Sequence, residues 1–210
     1  MSKPVPPRVR HDYHHGDLRA ALLDSVGCIV REQGAPFVSV REVARRARVS
    51  HAAPAHHFGN KSGLLTAFAA QGFDRLADTV IATIAASGAS TPPDMLAAMG
   101  RAYVRFAVDN PEHFAIMFRT ELLEPDDREL TRASNRAYDA LIATTRAAAA
   151  QGYTRVEPRV AAAAAWSLVH GLAALWLSGR LQRRTGDTDA GSLADAVTRA
   201  FVGGVLGDRP

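Results

Sequence analysis

The sequence predicts an all-α fold of about nine helices, with a small N-terminal head of three helices followed by a larger helical body. Three observations predict it. Apolar residues recur at spacings of three and four along nearly the whole chain, the period of helices that bury one stripe. No alternating β-branched run reaches five residues, so strand signals are nearly absent. Capping residues and glycines punctuate the chain at helix-length intervals.

The first helix is expected over 17–33, with Leu18, Leu22, Val26, Ile29 and Val30 on one stripe and Gly34 at its end. A loop over 35–38 turns the chain. Ser39 and Glu42 have capping-box spacing and open a short second helix over 40–47. After Arg48 and Val49, Ser50 is read as the cap of a third helix over 51–57, closed by Phe58 and Gly59. Asn60 caps a long fourth helix over 61–86, whose buried face holds Leu65, Phe68, Phe73, Leu76, Val80 and Ile84. The run 87–93, Ser-Gly-Ala-Ser-Thr-Pro-Pro, is a linker. Five further helices are expected over 93–109, 111–119, 126–151, 158–180 and 190–205. Pro111 and Pro158 fall where a first turn tolerates proline, and Gly152 and Gly186 mark stops. The expected units are a basic arm over 1–15, a head over 16–62 and a body over 63–210.

A chain of 210 residues with 47% hydrophobic content can bury a sizeable core. Residues 1–61 carry 10 Lys+Arg against 5 Asp+Glu, whereas residues 62–210 carry 15 against 16. The excess positive charge therefore sits in the first third, with six of the eight histidines, where a polyanion would be met. The single Cys28 excludes an internal disulfide, and no C-x-x-C or H-E-x-x-H spacing offers a metal site, so no cofactor is expected. No apolar leader is read at the start, and a cytoplasmic setting is expected. The stretch 160–177 is almost free of polar residues, but it is mostly alanine, with Ser167, His170 and Gly171 in its middle. It is read as a helix buried by protein rather than a membrane span. No nucleophile–base pair, paired carboxylates or phosphate loop has a helpful spacing, so an enzyme is not expected.

Two short helices joined by a tight turn, over 40–47 and 51–57, let the second enter the major groove of DNA while the first braces it. The segments Ser39-Val40-Arg41-Glu42-Val43-Ala44-Arg45-Arg46-Ala47, Val49-Ser50 and His56-His57-Phe58-Gly59-Asn60-Lys61-Ser62-Gly63-Leu64-Leu65 resemble the helix-turn-helix of the TetR family of transcription regulators. The resemblance covers about residues 15–66. More loosely, Trp166 and His170-Gly171 resemble a signature of TetR C-terminal domains.

The resemblance implies phosphate contacts from Ser39, His57 and Lys61, and base-edge contacts from His51, Ala52 and His56, with Ser50 and Arg41 in the same DNA-facing set. The arm residues Lys3, Arg8, Arg10, His11, His14 and His15 could lie along DNA or, for the histidines, hold a metal. Three positions depart from the family pattern. Arg48 stands where the turn usually has glycine, at a cost of about 1 kcal/mol if its backbone is left-handed. Pro54 falls inside the third helix, and Ala55 replaces a frequent aromatic phosphate contact.

For the body, the resemblance implies a homodimer formed by the last two long helices, with Ala165, Leu168, Leu172, Leu175, Leu193, Val197 and Phe201 at the interface. It also implies a cavity for a small, apolar or aromatic effector, for which Phe106, Phe114, Met117, Phe118, Tyr138, Trp166 and His170 are the candidate walls. The implied activity is repression at a palindromic operator, relieved when the effector shifts the population of body conformations.

Overall fold

The computed structural model describes the backbone of residues 15–205 and the side chains of residues 18–204. The basic arm lies outside these residues, except that His15 opens the first helix. Ten α-helices follow in order: α1 (His15–Gln33), α2 (Val40–Arg46), α3 (Ala52–Phe58), α4 (Lys61–Ser87), α5 (Pro92–Asp109), α6 (Pro111–Met117), α7 (Arg128–Ala150), α8 (Pro158–Leu177), α9 (Gln182–Thr185) and α10 (Ala190–Val205). No strand occurs among the described residues, and the all-α expectation holds.

Ser39 and Asn60 start α2 and α4 as expected, whereas α5, α7 and α8 are capped by Thr91, Asp127 and Glu157, which sequence reasoning did not name. Ser39 Oγ accepts the Glu42 N–H at 3.2 Å, while Asn60 Oδ1 accepts that of Gly63 at 3.0 Å. Only half of the capping box forms, because the Glu42 carboxylate is bound by Arg45 and Arg46. Ser50 does not cap α3. His51 precedes α3 with helical dihedrals and no side-chain cap. Pro54 lacks the N–H that would reach the Ser50 carbonyl, and Ala53 N–H takes that acceptor instead at 3.0 Å.

Two further differences have local causes. α7 begins at Arg128 because Asp127 caps it, accepting the Leu130 N–H at 2.7 Å, and a 3₁₀ turn, Thr120–Leu122, occupies part of the preceding loop. α8 stops at Leu177, three residues earlier than expected, because Gly179 adopts φ 67°. The bonds Arg180 N–H to Leu175 O and Gly179 N–H to Trp176 O close a Schellman turn. The chain then makes the short α9, a tenth helix that the periodicity did not separate from α8.

One continuous core joins head and body. Leu22, Val26 and Ile29 of α1 and Val43 of α2 are fully buried with Leu64 and Phe68 of α4, and the same cluster runs on through Val104, Phe106 and Ile116. α4 packs on α5, α6 and α7, and α5 packs on α8 and α10. α8 is the one described helix long and apolar enough to cross a membrane, and here it packs against α5, α7 and α10. Ion pairs tie the layers at their rims: Arg19 to Glu129, Arg136 to Asp78 and Arg101 to Asp195.

Candidate nucleic-acid interface and ligand cavity

α2 and α3 are held at a fixed angle by the turn between them. Arg48 takes up φ 56°, the left-handed conformation that a glycine would occupy without strain. The Val49 N–H then closes on the Ala44 carbonyl at 3.0 Å. Arg46 ties α2 to the supporting α1, bonding Glu42 of α2 at 2.8 Å and Glu32 of α1 at 2.7 Å. Hydrogen bonds from Arg45 and Arg46 hold the Glu42 carboxyl down at about 2, well below the ordinary carboxylate range.

This bracing leaves one face of the head open. Ser39, Arg41, Ser50, His51, Ala52 and His56 are all exposed. His57 is half-buried, edge-on to His56 with ring centroids 5.7 Å apart. Lys61 opens α4, where its ammonium donates to the Pro36 carbonyl at 3.2 Å, clamping the loop before α2. Glu42 neutralises Arg45, whereas Arg41 and Arg48 have no ion pair among the described residues. Exposed cations, histidine donors and a methyl group therefore come together in the α2–α3 segment, the chemistry that phosphates and base edges require.

In the body, α4, α5, α6, α7, α8 and α10 line a half-open cavity of about 540 Å³, with Thr120, Asn135 and Trp166 at its exposed edge. Met117, Phe118, Tyr138 and Trp166 line it as expected residues of the wall. Phe114 and His170 stand one layer behind, with ring centroids 5.4 and 4.6 Å from Phe118. Burial lowers the His170 imidazole and raises the Tyr103 phenol, which favours the neutral form of both, and the Tyr103 hydroxyl and His170 Nδ1 share a hydrogen bond of 2.8 Å. Phe106 is not part of the wall. It lies in the core at 1% exposure, because the cavity face of α5 is the stripe Leu96, Met99, Gly100 and Tyr103. That stripe was legible as spacing but not separable from ordinary core.

The expected interface residues also divide. Ala165, Leu168 and Phe201 line the cavity, Leu172 is buried in its own protomer, and Leu193 and Val197 pack against the core, leaving Leu175 exposed. Leu172 is thus a core residue. The outward face of α8 combines the small Ala163, Ala164, Ser167 and Ala174 with the exposed Val160, Trp166, Leu175 and Leu177, and α10 presents Ala196 and Ala200.

Cavity and head are physically connected. Thr120 and Leu123, from the loop over the cavity, flank a segment bonded to the start of α4: Ser62 Oγ donates to the Leu122 carbonyl at 2.9 Å and Glu124 N–H to Thr66 Oγ1 at 2.8 Å. α6 makes a second link, carrying Met117 to the cavity and Glu112 to Arg31 of α1.

Comparison with known proteins gives consistent matches. Residues 30–68 match the family model described as bacterial regulatory proteins, tetR family, and residues 96–201 match the tetracyclin repressor-like C-terminal domain. The HTH-type transcriptional regulator BetI of Burkholderia mallei is 31% identical over 82% of this chain and 86% of its own length. A shorter match to BetI of Rhizobium meliloti, 35% identical, spans 46% of this chain and 47% of that protein. A Rhodococcus sp. RHA1 protein described as of unknown function shares the fold with a TM-score of 0.79 at 28% identity, over 94% of this chain and all of that one. AibR, solved in complex with isovaleryl coenzyme A and operator DNA, shares it with a TM-score of 0.66 at 20% identity, over 90% of this chain and 98% of that one.

Proposed function

The chain belongs to the TetR family of transcriptional regulators, and on that premise we propose that it is a cytoplasmic repressor that binds a palindromic operator as a homodimer and is released by a small apolar effector. The observation that carries the reading is the surface of the head, where Arg41, His51, Ala52 and His56 stand exposed on the α2–α3 pair, with α2 tied to α1 by Arg46. The third helix enters the major groove, and Lys61, His57 and Ser39 position it on phosphates. AibR, whose complex holds both an acyl-coenzyme A and operator DNA, supports a molecule that couples the two kinds of ligand.

Release follows from the connections between cavity and head. An effector that favours one arrangement of α4, α6 and the loop over the cavity shifts the spacing of the two heads in the dimer, and operator affinity falls by its differential affinity for the two states. α8 and α10 supply the dimer contact through their exposed apolar and small residues, with Leu175 of α8 among them. No catalytic activity or metal is proposed.

Selection from random duplex DNA tests the function. The expected result is an enriched palindrome, bound by a dimer with affinity that falls steeply between two salt concentrations. Lys61→Ala is expected to weaken binding uniformly across sequences and to reduce the salt slope by about one. Absence of any enriched motif would leave a helical ligand-binding protein as the better account.

A further inference from the structure

We infer that the effector is an electrically neutral, largely hydrocarbon molecule with one uncharged polar end; the inference rests on reading the cavity as the effector site. The cavity of about 540 Å³ falls within the range of roughly 300–1,000 Å³ usual for small-molecule sites. Its described lining contains no Lys, Arg, His, Asp or Glu. A carboxylate, phosphate or ammonium brought into the depth of this space would lose much of its hydration and meet no counter-ion, a cost that buried charges escape only by pairing.

The charges nearby in sequence do not fill the gap. Arg132 and Arg136, on the α7 turn that carries Ser134 and Asn135, are drawn to Asp74 and Asp78 of α4, each with a 2.6 Å contact. The uncharged polar groups, in contrast, are available. Asn135, at the exposed edge, and the half-buried Tyr138 line the cavity, and neither side chain has a hydrogen-bond partner among the described residues. An amide and a phenol beside Phe73, Met117 and Trp166 suit a hydroxyl, ketone or lactone oxygen at the end of an alkyl or aromatic body. An acyl-coenzyme A, with its phosphates, would need the cationic wall that this cavity lacks.

The test uses the full chain carrying Trp176→Phe, so that Trp166 is the remaining tryptophan and reports from the cavity wall. The probes are 1-decanol, decanoate and decylammonium, which share a chain and differ in charge. 1-Decanol is expected to change Trp166 emission saturably, with the two ions binding at least about tenfold more weakly. Ser134→Arg, which puts a cation on the wall, is expected to raise decanoate affinity at least about tenfold without raising that of the alcohol. Decanoate or decylammonium binding as tightly as 1-decanol to the unaltered wall overturns the neutral-ligand inference and leaves the effector-site reading intact. If no probe gives a saturable response, or if the alcohol response persists in a folded Ala165→Phe variant, both readings fall together.

Discussion

Arg31 of α1 reaches across to α6, where its guanidinium bonds Glu112 Oε1 at 2.8 Å, although Glu112 is only 6% exposed. The pair links a helix of the head to the helix that carries Met117 into the cavity. Glu112 Oε2 has no partner of its own, so the arginine is the main compensation for a carboxylate held inside the protein.

Arg31→Ala should therefore destabilise the fold more than Arg105→Ala, which removes an exposed pair with Asp109 on the same side of a single helix. Adding Glu112→Gln to Arg31→Ala should restore part of the loss, since a neutral amide needs less compensation than an unpaired carboxylate. Thermal unfolding of the three variants beside the parent chain decides it. Equal midpoints for Arg31→Ala and Arg105→Ala would count against a structural role for the pair.

His113 gives stability a pH dependence. Its ring stacks on Phe68 with centroids 4.0 Å apart, and burial is the largest cause of its depressed value of about 4. The unfolded chain, with histidine near about 6.5, binds the proton first as pH falls. Stability is therefore full above about 6.5 and lost as pH drops toward 4, by about 3 kcal/mol at most. His113→Phe should flatten the unfolding free energy between pH 6.5 and 5, and an unchanged slope would contradict this.

Arg48 pays for the head geometry in backbone strain. Arg48→Gly should stabilise the fold by up to about 1 kcal/mol, because glycine accepts φ 56° freely. Denaturant titration with an unchanged m-value is the measurement. A loss of stability would mean that the arginine side chain contributes more than its backbone costs.

Gly100 lets α5 and α10 approach closely. A Cβ there would fall 2.3 Å from Thr198 Cγ2 and 3.3 Å from Val169 Cγ1. Gly100→Ala should cost about 1–3 kcal/mol by overpacking, despite alanine's higher helix propensity. Thr198→Ser removes the clashing methyl while keeping the hydroxyl that donates to the Ala194 carbonyl, and should recover much of the loss. Failure of that rescue would show that the strain lies elsewhere.

The sequence by itself determined the helical class, the order of the principal helices and the head, because these depend on local signals. Apolar spacing named the α1 stripe, Ser39 and Asn60 marked helix starts through their own side-chain bonds, and the resemblance to a helix-turn-helix with glycine at the turn marked Arg48 as strained. Ser50 failed as a cap for an equally local reason, the missing N–H of Pro54. The cavity was decided by tertiary structure. Whether an aromatic on α5, α6 or α8 meets a void or another side chain depends on which turns of five helices face one another, and periodicity is the same in both cases. Phe106 and Met117 read alike in sequence, yet one is sealed in the core and the other lines the cavity. Likewise Leu172 and Leu175 share an apolar helix, and only packing against α5 and α10 turned the first inward and left the second exposed.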